Sequence, residues 1–105
     1  MSFVRLNQLK IKIQKLDDFI NDLKPKNITF IKLIVEGFEP EVIKGGWNTI
    51  TKYKPVIFLE VTESWWKENN STVTEVVDKL RTLGYCFEIE HYNEMLPYDP
   101  EQYAF

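Results

Sequence analysis

Apolar and polar residues alternate over residues 9–14 (LKIKIQ), the period of a half-buried strand, and Leu16, Phe19, Ile20 and Leu23 then recur at helical spacing until Pro25. Residues 28–35 (ITFIKLIV) form a nearly unbroken β-branched and aromatic run, which predicts a strand covered by helices on both faces of a parallel sheet. Gly37 ends that run. Pro40 stands where a first helical turn accepts proline, and Ile43, Trp47 and Ile50 carry an apolar stripe through a helix over about residues 40–52, stopped by Lys54-Pro55. Residues 56–61 (VIFLEV) predict a second buried strand, and the polar stretch KENNS a connection. Thr72 and Glu75 have capping-box spacing, Val73, Val76, Val77, Leu80 and Leu83 repeat with helical period, and Gly84 supplies the stop, so a helix is predicted over 72–83. Residues 85–90 (YCFEIE) alternate again and predict a third strand, near a sheet edge because one face is acidic. Residues 92–105, rich in proline and aromatics towards the end, are expected to form a non-helical arm over an apolar surface.

Strand, helix, strand, helix, strand at this spacing predicts two right-handed crossovers and a parallel sheet of at least three strands. The fold class expected is therefore α/β, as a single domain spanning residues 1–105. In such sheets ligands sit beyond the carboxyl ends of the strands. That rule directs attention to Ile34–Glu39, Glu60–Trp66 and His91–Glu94.

Composition removes several function classes. The single Cys86 cannot make an internal disulfide, and the single His91 has no second His or Cys at metal-ligand spacing. A net charge of −3 gives no electrostatic footprint for nucleic acid. No stretch approaches the roughly 20 apolar residues of a membrane span, and Arg5 and Lys10 interrupt the N-terminus before a signal-peptide core forms. A cytoplasmic location is expected. Charge is uneven along the chain: residues 1–54 hold ten Lys/Arg against six Asp/Glu, and residues 55–105 three against ten. Such asymmetry describes either two solvated faces or surfaces through which copies attract each other.

The ordered segments KLDDFI, FIKLIVEGFEPEVIKGG and KPVIFLEV carry something more specific. Together they resemble the C-terminal half of an FkbM-type methyltransferase, over residues 16–90. The resemblance implies a partial Rossmann-like methyltransferase fold with a mostly parallel sheet. It also implies S-adenosylmethionine as cofactor and methyl transfer to a hydroxyl of a sugar, glycolipid or polyketide-like acceptor.

Carried over on the matching motif, Glu36 and Glu60 are the candidate catalytic carboxylates, with Gly37 and Glu39 on the acidic turn beside the substrate. A positioned carboxylate can orient an alcohol or accept its proton, and Gly37 would let the backbone approach a ligand closely. Glu39 and Glu41 also fit a second role, as favourable charges at a helix N-terminus. Trp65 and Trp66 follow the second strand, where flat aromatic faces suit a sugar ring; adjacent tryptophans equally suit one core anchor and one interface residue. His91 is a candidate base near the third strand's end, or a polar surface residue.

Two departures from the family pattern are visible. Ile34 stands where the pattern has aspartate, and none of Gly37, Gly45, Gly46 and Gly84 makes the glycine-rich turn that cradles the cofactor. Two functions follow from different classes. One is the acceptor-side half of an O-methyltransferase, completed by a cofactor-binding half. The other is a non-catalytic module that self-associates through an exposed sheet edge, most simply as a homodimer through the edge of residues 28–35.

Overall fold

The structure, a computed structural model, describes residues 12–98, and its elements stop largely where the sequence is punctuated. Helix α1 (Leu16–Leu23) ends at Lys24, which takes the left-handed conformation before Pro25 and returns its N–H to the Ile20 carbonyl at 2.8 Å. Strand β1 (Phe30–Leu33) follows, then helices α2 (Glu39–Gly45) and α3 (Trp47–Tyr53). Helix α3 stops as α1 does, on a left-handed Lys54 before Pro55. Tyrosine hydroxyls fasten both Lys-Pro stops: Tyr53 donates to the Pro25 carbonyl at 2.7 Å and Tyr85 to the Pro55 carbonyl at 2.5 Å.

Strand β2 (Val56–Leu59) pairs in parallel with β1, Phe30 opposite Val56 and Leu33 opposite Leu59. Helices α4 (Glu63–Glu68) and α5 (Val73–Arg81) come next. The Thr72 hydroxyl caps α5 by accepting from the Glu75 N–H at 3.2 Å, as the capping box predicts. Leu33, Ile43, Ile50, Trp66 and the Val73, Val76, Val77 and Leu80 stripe of α5 make one core, with Ile31, Ile57 and Leu59 packed on it. Each fully buried aliphatic side chain there contributes about 1.5–3 kcal/mol.

Several expectations are corrected. The predicted three-stranded parallel sheet is a two-stranded one, because residues 85–90 do not join it. Strand β3 (Glu88–His91) instead pairs antiparallel with β4 (Glu94–Pro97) as a separate hairpin. The cause is local. Tyr92 and Asn93 both have positive φ, 49° and 64°, the conformation a two-residue hairpin turn needs. Residues 94–97 of the expected arm are therefore strand, and 99–105 lie outside the described residues.

The parallel pair is also not covered on both faces. All four crossover helices contribute to the core on the Ile31, Leu33, Ile57 and Leu59 side, which leaves Phe30, Lys32, Val56 and Phe58 exposed on the other. The helix predicted over 40–52 is divided at Gly46, where a Cβ would lie 2.6 Å from Leu16 Cδ2. Leu16 occupies the space that a side chain at the α2–α3 junction would need. Helix α4 forms where a connection was expected. Residues 12–14 of the predicted first strand have no regular structure, and 9–11 lie outside the described residues.

Asp17 ties these parts together. Its carboxylate accepts from the Asn48 N–H at 3.2 Å, the Thr49 N–H at 2.8 Å and the Thr49 hydroxyl at 2.7 Å, capping α3 from another helix. The aspartate of the KLDDFI segment and the glycine of the KGG segment thus serve one junction.

Candidate functional site

At the carboxyl end of β1 the chain reverses through Val35–Phe38, with the Phe38 N–H on the Val35 carbonyl at 3.3 Å. Glu36 (φ 50°) and Gly37 (φ 101°) are the central residues of this turn. A Cβ on Gly37 would sit 2.8 Å from Trp65 Cβ, so the position demands glycine both for its conformation and for its neighbour. Beside the turn, the Glu60 N–H continues the ladder to the Leu33 carbonyl at 3.2 Å. Glu60 thus follows directly on the end of β2 and Glu36 stands three residues beyond the end of β1, where an α/β sheet presents its ligand-binding residues.

Glu39 holds the turn in place. It is only 1% exposed, and its Oε2 accepts from the Val35 N–H at 2.7 Å while Oε1 accepts from the Gly37 N–H and the Trp66 indole N–H, each at 3.0 Å. Burial alone pushes this carboxyl up. The bonds from Val35, the Trp66 indole, its own amide and Gly37 outweigh burial, and it titrates below its ordinary value. A buried carboxylate with this many donors stays ionised and serves as a bracket between β1, α2 and α4.

The seven residues singled out by sequence fall into distinct settings. Glu36, Gly37, Glu39, Glu60, Trp65 and Trp66 come together around the turn. Trp66 is fully buried with its indole N–H committed to Glu39, whereas Trp65 is 40% exposed beside Gly37. The Glu36 side chain is exposed and that of Glu60 half-buried, and neither carboxylate is engaged by a hydrogen bond or ion pair among the described residues. His91 ends β3, opposite Glu94 in the separate hairpin, so it is not at the carboxyl edge of the β1–β2 pair. Ile34 is 44% exposed at this end of β1, with the exposed Phe38 close by in sequence.

One contributor was not singled out by sequence. Asn69 donates to the Trp65 carbonyl at 3.1 Å and to the Gly37 carbonyl at 3.4 Å, bracing the turn from the end of α4. Within KENNS it looks like any polar loop residue, and only the helix that precedes it aims its amide inward.

Among the described residues no group of three or more His, Cys, Asp or Glu is placed to hold a metal ion, and no helix is long and apolar enough to cross a membrane. The described residues do not fit S-adenosylmethionine as a complete site. The turn after β1 offers one glycine and an acidic rim without a glycine-rich cradle. An apolar cleft of about 230 Å³ lies elsewhere, between β2 and the hairpin.

No curated protein and no solved structure shows significant similarity to the chain. The family model described as the methyltransferase FkbM domain matches residues 4–87, most of the chain and every element from α1 to α5. With its acidic turn after β1 and a glutamate closing β2, the chain belongs to the FkbM methyltransferase domain family.

Proposed function

We propose that the chain is the acceptor-side wall of an O-methyltransferase that uses S-adenosylmethionine, with Glu36 and Glu60 receiving an acceptor hydroxyl. The observation that carries this reading is the division of labour among three glutamates at one end of the sheet. Glu39 is consumed as a bracket, while Glu36 and Glu60 keep their carboxylates uncommitted. An alcohol is a poor nucleophile at neutral pH, and a fixed carboxylate can orient its O–H and take its proton. Trp65 adds an exposed aromatic surface on which a sugar or the apolar body of a glycolipid or polyketide-like acceptor can rest. Contacts to the cofactor come, in this reading, from a second half with a glycine-rich turn. The exposed Cys86, without a disulfide partner, fits a reducing cytoplasmic setting.

The test is complementation. The chain is mixed with the cofactor-binding half of an FkbM-family methyltransferase, and transfer of radiolabelled methyl from S-adenosylmethionine is followed across hydroxyl acceptors of the three classes. Transfer should need both halves, and Glu36→Gln or Glu60→Gln should slow it about 100-fold or more while leaving stability intact. Undiminished transfer by the double variant would remove both residues from the mechanism.

A second reading, a non-catalytic interaction module, draws on Ile34, which puts an apolar side chain where the family pattern has aspartate. It also draws on the bare Phe30, Val56 and Phe58 face of the sheet. Absence of transfer in every complemented mixture, together with stable self-association of the chain, is the result that favours it.

A further inference from the structure

We propose that residues 9–14 of a second copy add as a strand to the free edge of β2, inside the cleft between β2 and the β3–β4 hairpin. This is independent of the methyltransferase reading. Within β2 the Val56 N–H bonds the Thr29 carbonyl, and just beyond it the Glu60 N–H bonds the Leu33 carbonyl, so the even-numbered residues turn their backbone groups towards β1. Ile57 and Leu59 therefore turn theirs outward. Among the described residues no backbone hydrogen bond joins that edge to the hairpin, and the two sheets are separate. What lies between them is the apolar cleft of about 230 Å³, lined by Ile57, Leu59, Val77, Leu80, Phe87 and Ile89 among others. A row of unpaired backbone donors and acceptors beside an apolar cleft is the setting in which an extended segment gains both main-chain bonds and side-chain burial.

Charge and pattern choose the occupant. Glu88 and Glu90 belong to the cleft's lining, in the half of the chain where acidic residues outnumber basic ones. Residues 9–14 come from the basic half and alternate Leu9, Ile11 and Ile13 with Lys10, Lys12 and Gln14. Of these, Ile13 is 93% exposed, the highest value of any large apolar side chain described, and Lys12–Gln14 have no regular structure in the single copy. Period 2 suits the cleft. With Ile11 and Ile13 on the side of Ile57, Leu59 and Ile89, the lysines fall on the side of Glu88 and Glu90. The segment leads directly into α1, whose Asp17 is fixed to α3, and Lys15 lies against Gly45 in the helix layer. A second copy supplies the strand, and reciprocal exchange closes a two-fold dimer.

The native cysteine makes the test direct, because Cys86 is the chain's only thiol and lines the cleft. Lys10→Cys and Ile13→Cys are made singly in the full chain, one towards each end of the segment, so that either strand direction brings one of them to Cys86. Mild oxidation should give a covalent dimer on a non-reducing gel in at least one variant, lost on reduction and absent when Cys86→Ser is added. Light scattering at about 50 μM should give the unmodified chain twice its 12.5 kDa mass, and Ile13→Asp should return it to 12.5 kDa. Ile13 is exposed in the single copy, so that substitution leaves the monomer's fold intact. A monomeric mass for the unmodified chain, no crosslink in either cysteine variant, or crosslinks only within one chain would each overturn the proposal.

Discussion

Replacing Glu39 by Gln tests the bracket at its centre. The side chain keeps its shape, but one acceptor oxygen becomes an NH₂ donor. If the remaining oxygen takes the Oε1 position, it keeps the Gly37 and Trp66 bonds, now without charge assistance, and the new NH₂ faces the Val35 N–H now 2.7 Å from Oε2. If it takes the Oε2 position, two donors lose their acceptor instead. Either way at least one largely buried N–H is left unpaired, which costs about 1–3 kcal/mol. Weakening of the other charge-assisted bonds adds about 1 kcal/mol, for a total of about 2–4 kcal/mol. Urea unfolding followed by tryptophan fluorescence measures it, with Glu41→Gln, an exposed acid in the same first turn, as the control expected within about 0.5 kcal/mol of the parent. The sign of the pH dependence follows from the lowered carboxyl. Its stabilisation is complete above the ordinary value of 4.5 and is lost as pH falls through the folded-state value, so the gap between parent and Glu39→Gln should narrow below about pH 4.5. A loss under 0.5 kcal/mol at pH 7, or a gap that stays constant down to pH 3, would refute the reasoning.

Asp17→Ala should cost about 1–2 kcal/mol by the same urea assay, since it removes the cap from α3 and leaves the Thr49 N–H without its 2.8 Å acceptor. Gly37→Ala should cost about 2 kcal/mol or more, combining a positive φ with a contact of 2.8 Å to Trp65, whereas Gly84→Ala should cost about 1 kcal/mol because its φ of 91° is strained but nothing lies within 4 Å of the added Cβ. Equal costs at the two glycines would show that the Trp65 contact relaxes freely.

What the sequence disclosed depended on how local each signal was. Lys24-Pro25, Lys54-Pro55 and the Thr72–Glu75 cap act within a few residues, and the helix limits they imply appear in the structure to within a residue or two. Strand partnership is not local. Residues 85–90 alternate identically whether they extend a parallel sheet or open a hairpin, and the deciding feature, positive φ at both Tyr92 and Asn93, has no Asn-Gly signature to reveal it. The runs 28–35 and 56–61 carry a related ambiguity. Their apolarity shows that both faces suit burial, but it does not say what covers Phe30, Val56 and Phe58.

The acidic turn shows the same limit at the level of a single atom. Glu36 and Glu39 stand three residues apart in one motif and carry the same group, and helix-terminus reasoning gave Glu39 a role only through its neighbours in sequence. The interaction that separates them comes from residue 66, whose indole reaches Glu39 across 27 positions because α4 packs onto the turn. Helix α4 itself was unreadable in a segment whose paired tryptophans suited a ligand platform as well as a core. Once Trp66 is inside, Glu39 is committed to its indole N–H and Trp65 is left outward beside Gly37. Glu36 and Glu60 are then the carboxylates of the proposed site left without a hydrogen bond or ion pair among the described residues. The acceptor chemistry proposed for this end of the sheet would therefore rest on a bracket that takes no part in it, and loss of Trp66 should disturb the turn's geometry before it touches any acceptor.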